Sequence, residues 1–298
     1  MRVFITGATG YIGFNVATEF RRAGHEVFGL ARSAVKAQPL LHNEIRPVIG
    51  SMEEPGSYLK AAASCSVLIH AASDASAQAD FDRKTIEALA STASNGAQPK
   101  TLIYTSGVWV HGDTKCEFVD ETCPLNPAKL VTWRPAVEKL TLNAAGMRAI
   151  VIRPGCVYGK EGGLTGMWFV AANSGQALDV VGGRNHWAIV HVSDLAVGYR
   201  LIAESGLSGE VFDLADSSRE TVGEMAAAAA KAAGNTAGVR FIPVAQAAQK
   251  MGDFAECLAL DQHVDSGKAR RLVGWSPRHR GFASDAGLYH ASWKASQR

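Results

Sequence analysis

Long apolar runs are missing from this chain of 298 residues, although 47% of its residues are hydrophobic. A membrane-spanning helix needs roughly 20 consecutive apolar residues, so we expect no membrane association. A basic block is missing too, because 30 Lys and Arg residues nearly balance 28 Asp and Glu residues, for a net charge of +2. Nucleic-acid binding requires a cationic surface for the phosphates, so nucleic acid is not an expected partner.

Cysteine pairs at metal-binding or redox spacing are also absent. The five cysteines are scattered, without a Cys-x-x-Cys motif: Cys65, Cys116, Cys123, Cys156 and Cys257. Such usage is typical of reduced thiols in the cytosol, and the start MRVFITGATG lacks the features of a signal peptide. We therefore expect a cytoplasmic protein. No metal site is expected, because His186 and His191 have no evident carboxylate or thiolate to complete a ligand set.

Short apolar runs alternate with helical patterns through the first half of the chain. Strands are predicted at residues 3–6, 26–30, 67–71, 101–105, 149–153 and 211–214. Helices are predicted between them, including residues 57–63, 80–91 and 135–145. This alternation predicts an α/β fold of the Rossmann type, in which helices cover both faces of a doubly wound parallel sheet.

The pattern loosens after Pro154, which suggests a second functional part. Residues 1–155 are predicted to form the dinucleotide-binding domain, with a segment near 190–215 returning to it. Residues 156–298 are predicted to form mainly a smaller C-terminal substrate-binding part, interleaved with the first. Within it, Thr221 followed by Glu224 predicts a capping box at the start of an alanine-rich helix.

The strongest motif is the glycine turn at residues 7–13, which follows the first strand and opens the first helix. Glycine permits the sharp turn, the close approach of backbone to a pyrophosphate, and the packing of helix on strand. The helix start adds free N–H groups and the positive end of its dipole. We predict dinucleotide binding by Gly7, Thr9, Gly10, Tyr11, Ile12 and Gly13.

The end of the second strand suggests which dinucleotide binds. An NAD site usually has an acidic residue here, which accepts hydrogen bonds from the adenosine ribose. This chain has Arg32 instead, and a guanidinium can form charge-assisted hydrogen bonds with the 2′-phosphate of NADP. We therefore expect NADP(H) in preference to NAD(H). An exposed loop arginine without a ligand is the structural alternative.

Several segments together resemble the short-chain dehydrogenase/reductase superfamily, in its extended or atypical branch, and specifically its NAD-dependent epimerase/dehydratase-like family. The matching segments are TGATGYIG (6–13), VLIHAA (67–72), IYTSG (103–107), RPGCVYG (153–159), VHVSDLA (190–196) and KARRLVGWSP (268–277). They follow the family's order over nearly the whole chain. The resemblance implies that Ala71 and Ala72 lie beside the adenosine and ribose, and that Pro154 and Val157 line the nicotinamide.

The chain departs from this family where its proton donor normally lies. Members carry a Tyr-x-x-x-Lys pair, in which the Tyr protonates the carbonyl and the Lys lowers the Tyr pKa and holds the ribose. The corresponding segment here reads LVTWRPAVEK (130–139). Aligning the family's Glu with Glu138 places Leu130 at the Tyr position and Arg134 at the Lys position. A second departure is Asp82, which replaces the usual Asn of the fourth helix.

Four residues are therefore candidates for catalysis. Ser106, at the end of the fifth strand, is expected to hydrogen-bond a substrate carbonyl, and Arg134 is expected to hold the ribose. His111 and Tyr158 are candidates for the missing acid, since imidazole titrates near neutral pH and the Tyr158 segment is expected near the nicotinamide. Each of the four also has a structural alternative, as a turn, salt-bridge or core residue.

These observations favour an NADP(H)-dependent oxidoreductase that acts on a small organic substrate. Epimerisation or dehydration through transient oxidation would use the same apparatus and stays open. A different class is an NADP(H)-binding sensor without turnover, which the missing Tyr motivates. The expected partner is a small-molecule substrate, and a homodimer stays open as the assembly.

Overall fold

The computed structural model describes residues 1–72, 78–93, 98–115 and 117–297, so Cys116 lies outside the described residues. The strands are β1 (Arg2–Thr6), β2 (Glu26–Ala31), β3 (Arg46–Ile49), β4 (Val67–His70), β5 (Lys100–Thr105), β6 (Phe118–Val119), β7 (Met147–Pro154), β8 (Cys156–Gly159), β9 (Gly162–Gly163), β10 (Leu178–Val181), β11 (Ile189–His191), β12 (Glu210–Leu214), β13 (Val239–Ile242) and β14 (His263–Val264). The helices are α1 (Tyr11–Arg22), α2 (Ala34–His42), α3 (Leu59–Ala63), α4 (Gln78–Ala90), α5 (Arg134–Leu142), α6 (Gly166–Asn173), α7 (Val192–Glu204), α8 (Val222–Ala232), α9 (Val244–Met251), α10 (Phe254–Ala259), α11 (Gly267–Val273) and α12 (Ala286–Ser296).

Seven parallel strands form the central sheet, in the order β12-β7-β5-β4-β1-β2-β3. The strand order reverses at β1, which pairs with β2 on one side and β4 on the other. Ligands of such sheets bind in the crevice outside the carboxyl ends of the strands at this reversal. The predicted Rossmann fold is therefore confirmed, and the glycine turn lies at the expected crevice.

Every strand predicted for the first half is present, but β3 was not predicted. It is a short strand at the edge of the sheet, and it includes Pro47. Its residues are only partly buried or exposed, so it lacks the apolar run that marks the interior strands.

Apolar helix faces cover both sides of the sheet. On one side, α1 and α7 pack together and bury Val16, Phe20 and Leu195 against the strands. On the other side, α4 and α5 bury Ile86 and Val137. Each such side chain contributes roughly 1.5–3 kcal/mol when fully removed from water. This packing holds the carboxyl ends of the strands, and therefore the crevice, in a fixed arrangement.

The chain leaves the sheet after β7 and returns to it at β12. β11 pairs with β8, α7 packs on α1, and β12 joins the edge of the main sheet beside β7. The remaining C-terminal residues form a separate core, in which Trp168 and Trp187 stack with ring centroids 5.3 Å apart. The predicted capping box of α8 is present, with Thr221 and Glu224 bonded reciprocally.

None of the helices in the described ranges is long and apolar enough to cross a membrane. The cysteines within those ranges are free thiols, and Cys65, Cys156 and Cys257 are buried.

Candidate functional site

The glycine turn packs so closely that side chains are excluded from two of its positions. Gly7 has a φ of +71°, and a Cβ there would lie 2.6 Å from the carbonyl oxygen of Ala71. A Cβ on Gly13 would lie 2.2 Å from the carbonyl oxygen of Gly7. Both contacts are too short for any other residue, so these glycines fix the turn against β4 and seat α1 upon it. Gly10 caps α1 without a side-chain hydrogen bond, which leaves the helix start open to an anion.

A cleft of about 250 Å³ opens beside this turn. It brings together six residues for which we predicted cofactor binding: Gly7, Thr9, Gly10, Arg32, Ala71 and Ala72. The other lining residues are Leu30, Ser51, Met52, Glu53 and Phe81. The turn, the end of β2 and the end of β4 thus converge at one place, as the cofactor prediction requires.

Arg32 is exposed in this cleft and has no hydrogen-bond or ion-pair partner among the residues that the structure describes. Glu53 lines the same cleft, although it comes from the loop after β3. The end of β2 carries no acidic residue, but the fold brings a carboxylate to the cleft from another strand end.

A larger cavity of about 490 Å³ lies at the carboxyl ends of β5 and β7. Five of the predicted site residues line it: Ile12, Ser106, Arg134, Pro154 and Val157. The rest of its lining is Gly107, Val108, Trp109, Leu130, Val131, Gly155, Cys156, Leu164 and Phe254. Arg134 is the one charged side chain in this described lining, so a single cation faces a largely apolar space.

Leu130 lines this cavity together with Arg134 and presents an alkyl group to it. Arg134 begins α5 and donates from Nη1 to the carbonyl oxygen of Thr105 at 3.2 Å. Its guanidinium also lies over the ring of Trp133, 5.0 Å from the centroid. These contacts hold Arg134 in place while its remaining N–H groups stay available for a ligand.

Ser106 is buried, and its Oγ donates to Oε1 of Glu138 at 2.5 Å. Glu138 in turn accepts two hydrogen bonds from Arg153, at 3.0 and 2.7 Å. The hydroxyl hydrogen of Ser106 therefore points at a carboxylate. Towards the cavity, Ser106 can present only oxygen lone pairs, which accept hydrogen bonds.

The structure does not bring His111 to the cavity. Its Nε2 lies 2.8 Å from Oδ2 of Asp213, and both side chains are almost completely buried. Oδ1 of Asp213 is 3.7 Å from Nη1 of Arg153. His111 thus belongs to a buried polar cluster near the edge of the sheet. There its contact with Asp213 offsets part of the free-energy cost of burying that carboxylate.

Tyr158 also lies away from both clefts. Its hydroxyl donates to the carbonyl oxygen of Gly281 at 3.0 Å and to Oδ2 of Asp216 at 3.3 Å. Burial raises the pKa of Tyr158 well above its usual range, and the nearby Asp216 carboxylate raises it further. Tyr11, predicted as a cofactor residue, donates from its hydroxyl to the carbonyl oxygen of Gly159 at 2.7 Å and lines neither cleft.

Asp82, the second departure from the family pattern, has a structural explanation. Its Oδ2 accepts from the hydroxyl of Tyr104 at 2.7 Å, and its Oδ1 lies 3.1 Å from Nε2 of His70. Nδ1 of His70 is 2.7 Å from Oγ1 of Thr6, so the chain of contacts reaches the end of β1. A carboxylate suits this position because it accepts from two donors at once.

Two cavity residues, Cys156 and Phe254, were missed at the sequence level. Cys156 lies in the recognised segment after β7 but carries no motif of its own, and burial raises its pKa to about 12. Phe254 belongs to α10, more than a hundred residues from the glycine turn, and packs edge-on against Trp109. No sequence pattern marks an aromatic residue that reaches a cavity from so far along the chain.

Comparisons with known proteins agree with this arrangement. The model of the NAD-dependent epimerase/dehydratase family matches residues 3–215. A 4-hydroxy-2-methyl-3-oxo-4-farnesyl-3,4-dihydroquinoline-1-oxide ketoreductase of Stigmatella aurantiaca is 31% identical, over 72% of this chain and 68% of its own.

Solved structures show the same fold at lower identity. The UDP-glucose 4-epimerase of Thermotoga maritima with UDP-glucose is 18% identical and aligns with a TM-score of 0.83 over 100% of both chains. Human epimerase family protein SDR39U1 with NADPH is 20% identical, with a TM-score of 0.77 over 98% of this chain and 99% of its own. The chain therefore belongs to the NAD-dependent epimerase/dehydratase family, a group of NAD(P)-dependent oxidoreductases with the extended short-chain dehydrogenase/reductase fold.

Proposed function

We propose that this protein is an NADP(H)-dependent oxidoreductase that transfers hydride between the nicotinamide and a small, largely apolar organic substrate. The observation that carries this proposal is the composition of the larger cavity. Its one charged side chain, Arg134, faces a wall of aliphatic and aromatic groups in the described chain. Its volume of about 490 Å³ is within the usual range for small-molecule sites.

The two clefts together fit an extended dinucleotide. Gly10 lines the smaller cleft and Ile12 the larger one, so the start of α1 separates a site for the adenosine half from a site for the nicotinamide half. Arg32 is available for a 2′-phosphate, which favours NADP(H) over NAD(H). The bound cofactor supplies the hydride, while this chain supplies orientation and polarity.

Arg134 and Ser106 provide the polar contacts that a substrate would meet. Arg134 can donate N–H hydrogen bonds to a ribose hydroxyl or to a substrate oxygen and stabilise negative charge there. A guanidinium donates hydrogen bonds but is a poor general acid, so Arg134 does not replace the missing proton donor. Ser106 accepts from a substrate hydroxyl or amine, because its own hydrogen is directed to Glu138. The cavity therefore polarises its substrate without a strong general acid.

This arrangement selects among reducible groups. General-acid assistance is typically worth 10²–10⁴-fold, and a simple ketone needs a proton as hydride adds. Iminium ions and activated alkenes need less protonation in the hydride step, so they are the preferred substrate classes. The relative from Stigmatella aurantiaca is named as a ketoreductase of a farnesyl-bearing quinoline compound, and an apolar ring of this kind agrees with the lining described here.

The test combines cofactor binding with a substrate screen. NADPH and NADH are titrated calorimetrically, and matched ketones, imines and enones bearing the same apolar ring are then incubated with NADPH. We expect tighter binding of NADPH and faster turnover of the imine or enone. Equal affinity for both cofactors would contradict the proposal that Arg32 binds the 2′-phosphate. Tight NADPH binding without turnover of any of these substrate classes would instead favour an NADP(H)-binding sensor.

A further inference from the structure

Three residues from separate parts of the chain meet near the C-terminal core. His186 lies in the turn between β10 and β11, while Asp261 and His263 flank the start of β14. Their ligand-capable atoms all lie within 4.8 Å of one another. At the sequence level, His186 had no evident carboxylate partner, because Asp261 is 75 positions away. The fold supplies the group that the sequence pattern lacked.

These atoms lie close enough together to be ligands of one small divalent cation. Oδ1 of Asp261 is 2.9 Å from Nδ1 of His186 and 3.6 Å from Nε2 of His263. Zinc bonds of about 2.0–2.2 Å in a tetrahedron place neighbouring ligand atoms roughly 3.3–3.6 Å apart. Small side-chain adjustments would therefore place an ion at bonding distance from all three atoms.

Hydrogen bonding alone explains only part of this arrangement. Oδ1 of Asp261 already accepts from the backbone N–H of His186 at 2.7 Å and lies within hydrogen-bond distance of its Nδ1. The 3.6 Å separation of Nε2 of His263 is too long for a hydrogen bond. Yet this ring is packed against Phe118 and His186, with centroid distances of 5.4 and 4.7 Å. Within the described part of the chain, the His263 ring therefore faces Asp261 at ion-pair distance and not at hydrogen-bond distance.

The cluster is sheltered but reachable from solvent. The side chains of His186, Asp261 and His263 are 25%, 19% and 15% exposed. Glu224 adds negative charge nearby, and its carboxyl pKa is lowered, mainly by hydrogen bonds from Thr221 and to a smaller extent by His186. Partial exposure leaves room for a water molecule as a further ligand, and the acidic surroundings favour a cation.

We propose that His186, Asp261 and His263 bind a zinc ion, with water as the fourth ligand. Two imidazoles and a carboxylate form a ligand set that zinc accepts. This proposal replaces our expectation from the sequence that the chain has no metal site. It does not depend on the proposed oxidoreductase activity.

The zinc would hold separate segments of the chain together, away from the substrate and the nicotinamide. The turn that contains His186 already holds the end of α10, because Asn185 donates to the carbonyl oxygens of Leu258 and Leu260 at 3.0 and 2.8 Å. Trp187 donates to the carbonyl oxygen of Leu258 at 3.0 Å. α10 carries Phe254 into the larger cavity. An ion on the cluster would therefore stiffen one wall of that cavity.

The experiment titrates zinc chloride into the full chain after EDTA treatment and buffer exchange, with a reductant that does not bind metal. Calorimetry gives the stoichiometry and affinity, and cobalt(II) gives the coordination number from its visible absorption. We expect one ion per chain and an intense four-coordinate cobalt spectrum. His186→Asn and His263→Asn should each weaken zinc binding by at least about tenfold and abolish that spectrum.

Two further variants make the outcome decisive. His42→Asn removes an exposed histidine at the end of α2 and should leave zinc binding unchanged. Asp261→Asn removes the charge and should weaken binding, with folding checked by circular dichroism in EDTA. Absence of a cobalt spectrum in the unmutated chain would overturn the proposal. Equal loss in His42→Asn, or no loss in His186→Asn and His263→Asn, would also overturn it by showing adventitious surface binding.

Discussion

Ser106 donates its hydroxyl hydrogen bond to Glu138, 2.5 Å away, and so turns its proton away from the cavity that it lines. Glu138 is held in that role by two hydrogen bonds from Arg153. In the extended short-chain dehydrogenase/reductase pattern, a serine at this strand end helps a tyrosine to activate the carbonyl. In this chain Leu130 and Arg134 line the same cavity, and the serine donates to a carboxylate. We propose that the site keeps the family's architecture and lacks its tyrosine proton donor.

The first prediction tests whether Ser106 acts as a general acid. Ser106→Ala should lower kcat by less than about tenfold, because Ser106 accepts hydrogen bonds from the cavity and does not donate a proton into it. Loss of a general acid would lower kcat 10²–10⁴-fold. Steady-state kinetics with NADPH and the best substrate would check this. Glu138→Gln is the companion variant. It removes the carboxylate that accepts two hydrogen bonds from the buried Arg153 and leaves Asp213, 3.7 Å away, as its anionic partner among the described residues. This loss should destabilise the fold by up to roughly 3–5 kcal/mol in urea unfolding.

The second prediction restores the missing acid. The double variant Leu130→Tyr with Arg134→Lys rebuilds the Tyr-x-x-x-Lys pair on the wall of the larger cavity. It should reduce ketones at least about tenfold faster than the unmutated protein, because a phenol can then protonate the oxygen. Leu130→Phe with Arg134→Lys is the matched control, since it adds the ring without the hydroxyl. Equal rates for the two double variants would contradict the alignment of Leu130 with the family's tyrosine.

The third prediction concerns cofactor preference in the smaller cleft. Arg32→Asp should weaken NADPH binding by about 1.5–3 kcal/mol, the value of a charge-assisted contact, and should leave NADH binding less affected. Glu53→Gln should strengthen NADPH binding several-fold, because it removes a carboxylate from the cleft that would hold the 2′-phosphate. Calorimetric titration of both cofactors into each variant measures these effects. If Glu53→Gln weakened NADPH binding, Glu53 would instead be a ribose ligand.

The fourth prediction concerns the pH dependence of stability at Tyr158 and Asp216. Burial raises the pKa of Asp216 from 3.8 to about 6, so the folded state binds a proton more tightly than the unfolded state. Stability linked to this group is therefore greatest below pH 4 and falls as the pH rises towards 6. Asp216→Asn should remove that fall, so its free energy of unfolding should change less between pH 4.5 and pH 7 than that of the unmutated protein, by roughly 1–3 kcal/mol. Urea unfolding at pH 4.5 and pH 7, with Asp253→Asn as an exposed control, provides the measurement.

The sequence predicted the parts of the fold that depend on local patterns. The interior strands carry apolar runs that mark them in the sequence. The glycine turn requires residues without a Cβ at fixed positions, as the close backbone contacts at Gly7 and Gly13 show. The sequence could not show where long-range packing places a side chain. His111 lies close to Ser106 in the chain, yet the fold turns it towards Asp213, 102 positions away. Glu53 and Asp261 reach their sites in the same non-local way.

We infer that this cavity transfers hydride from NADPH without a strong general acid. The decisive measurement follows deuterium from 4,4-dideuterated NADPH into a matched set of enone, iminium and ketone substrates by mass spectrometry, with rates for each. We expect deuterium in the enone or iminium product, at a rate at least about a hundredfold above that of the ketone. Ketone reduction at the same rate would contradict it, and so would the absence of transfer to every substrate.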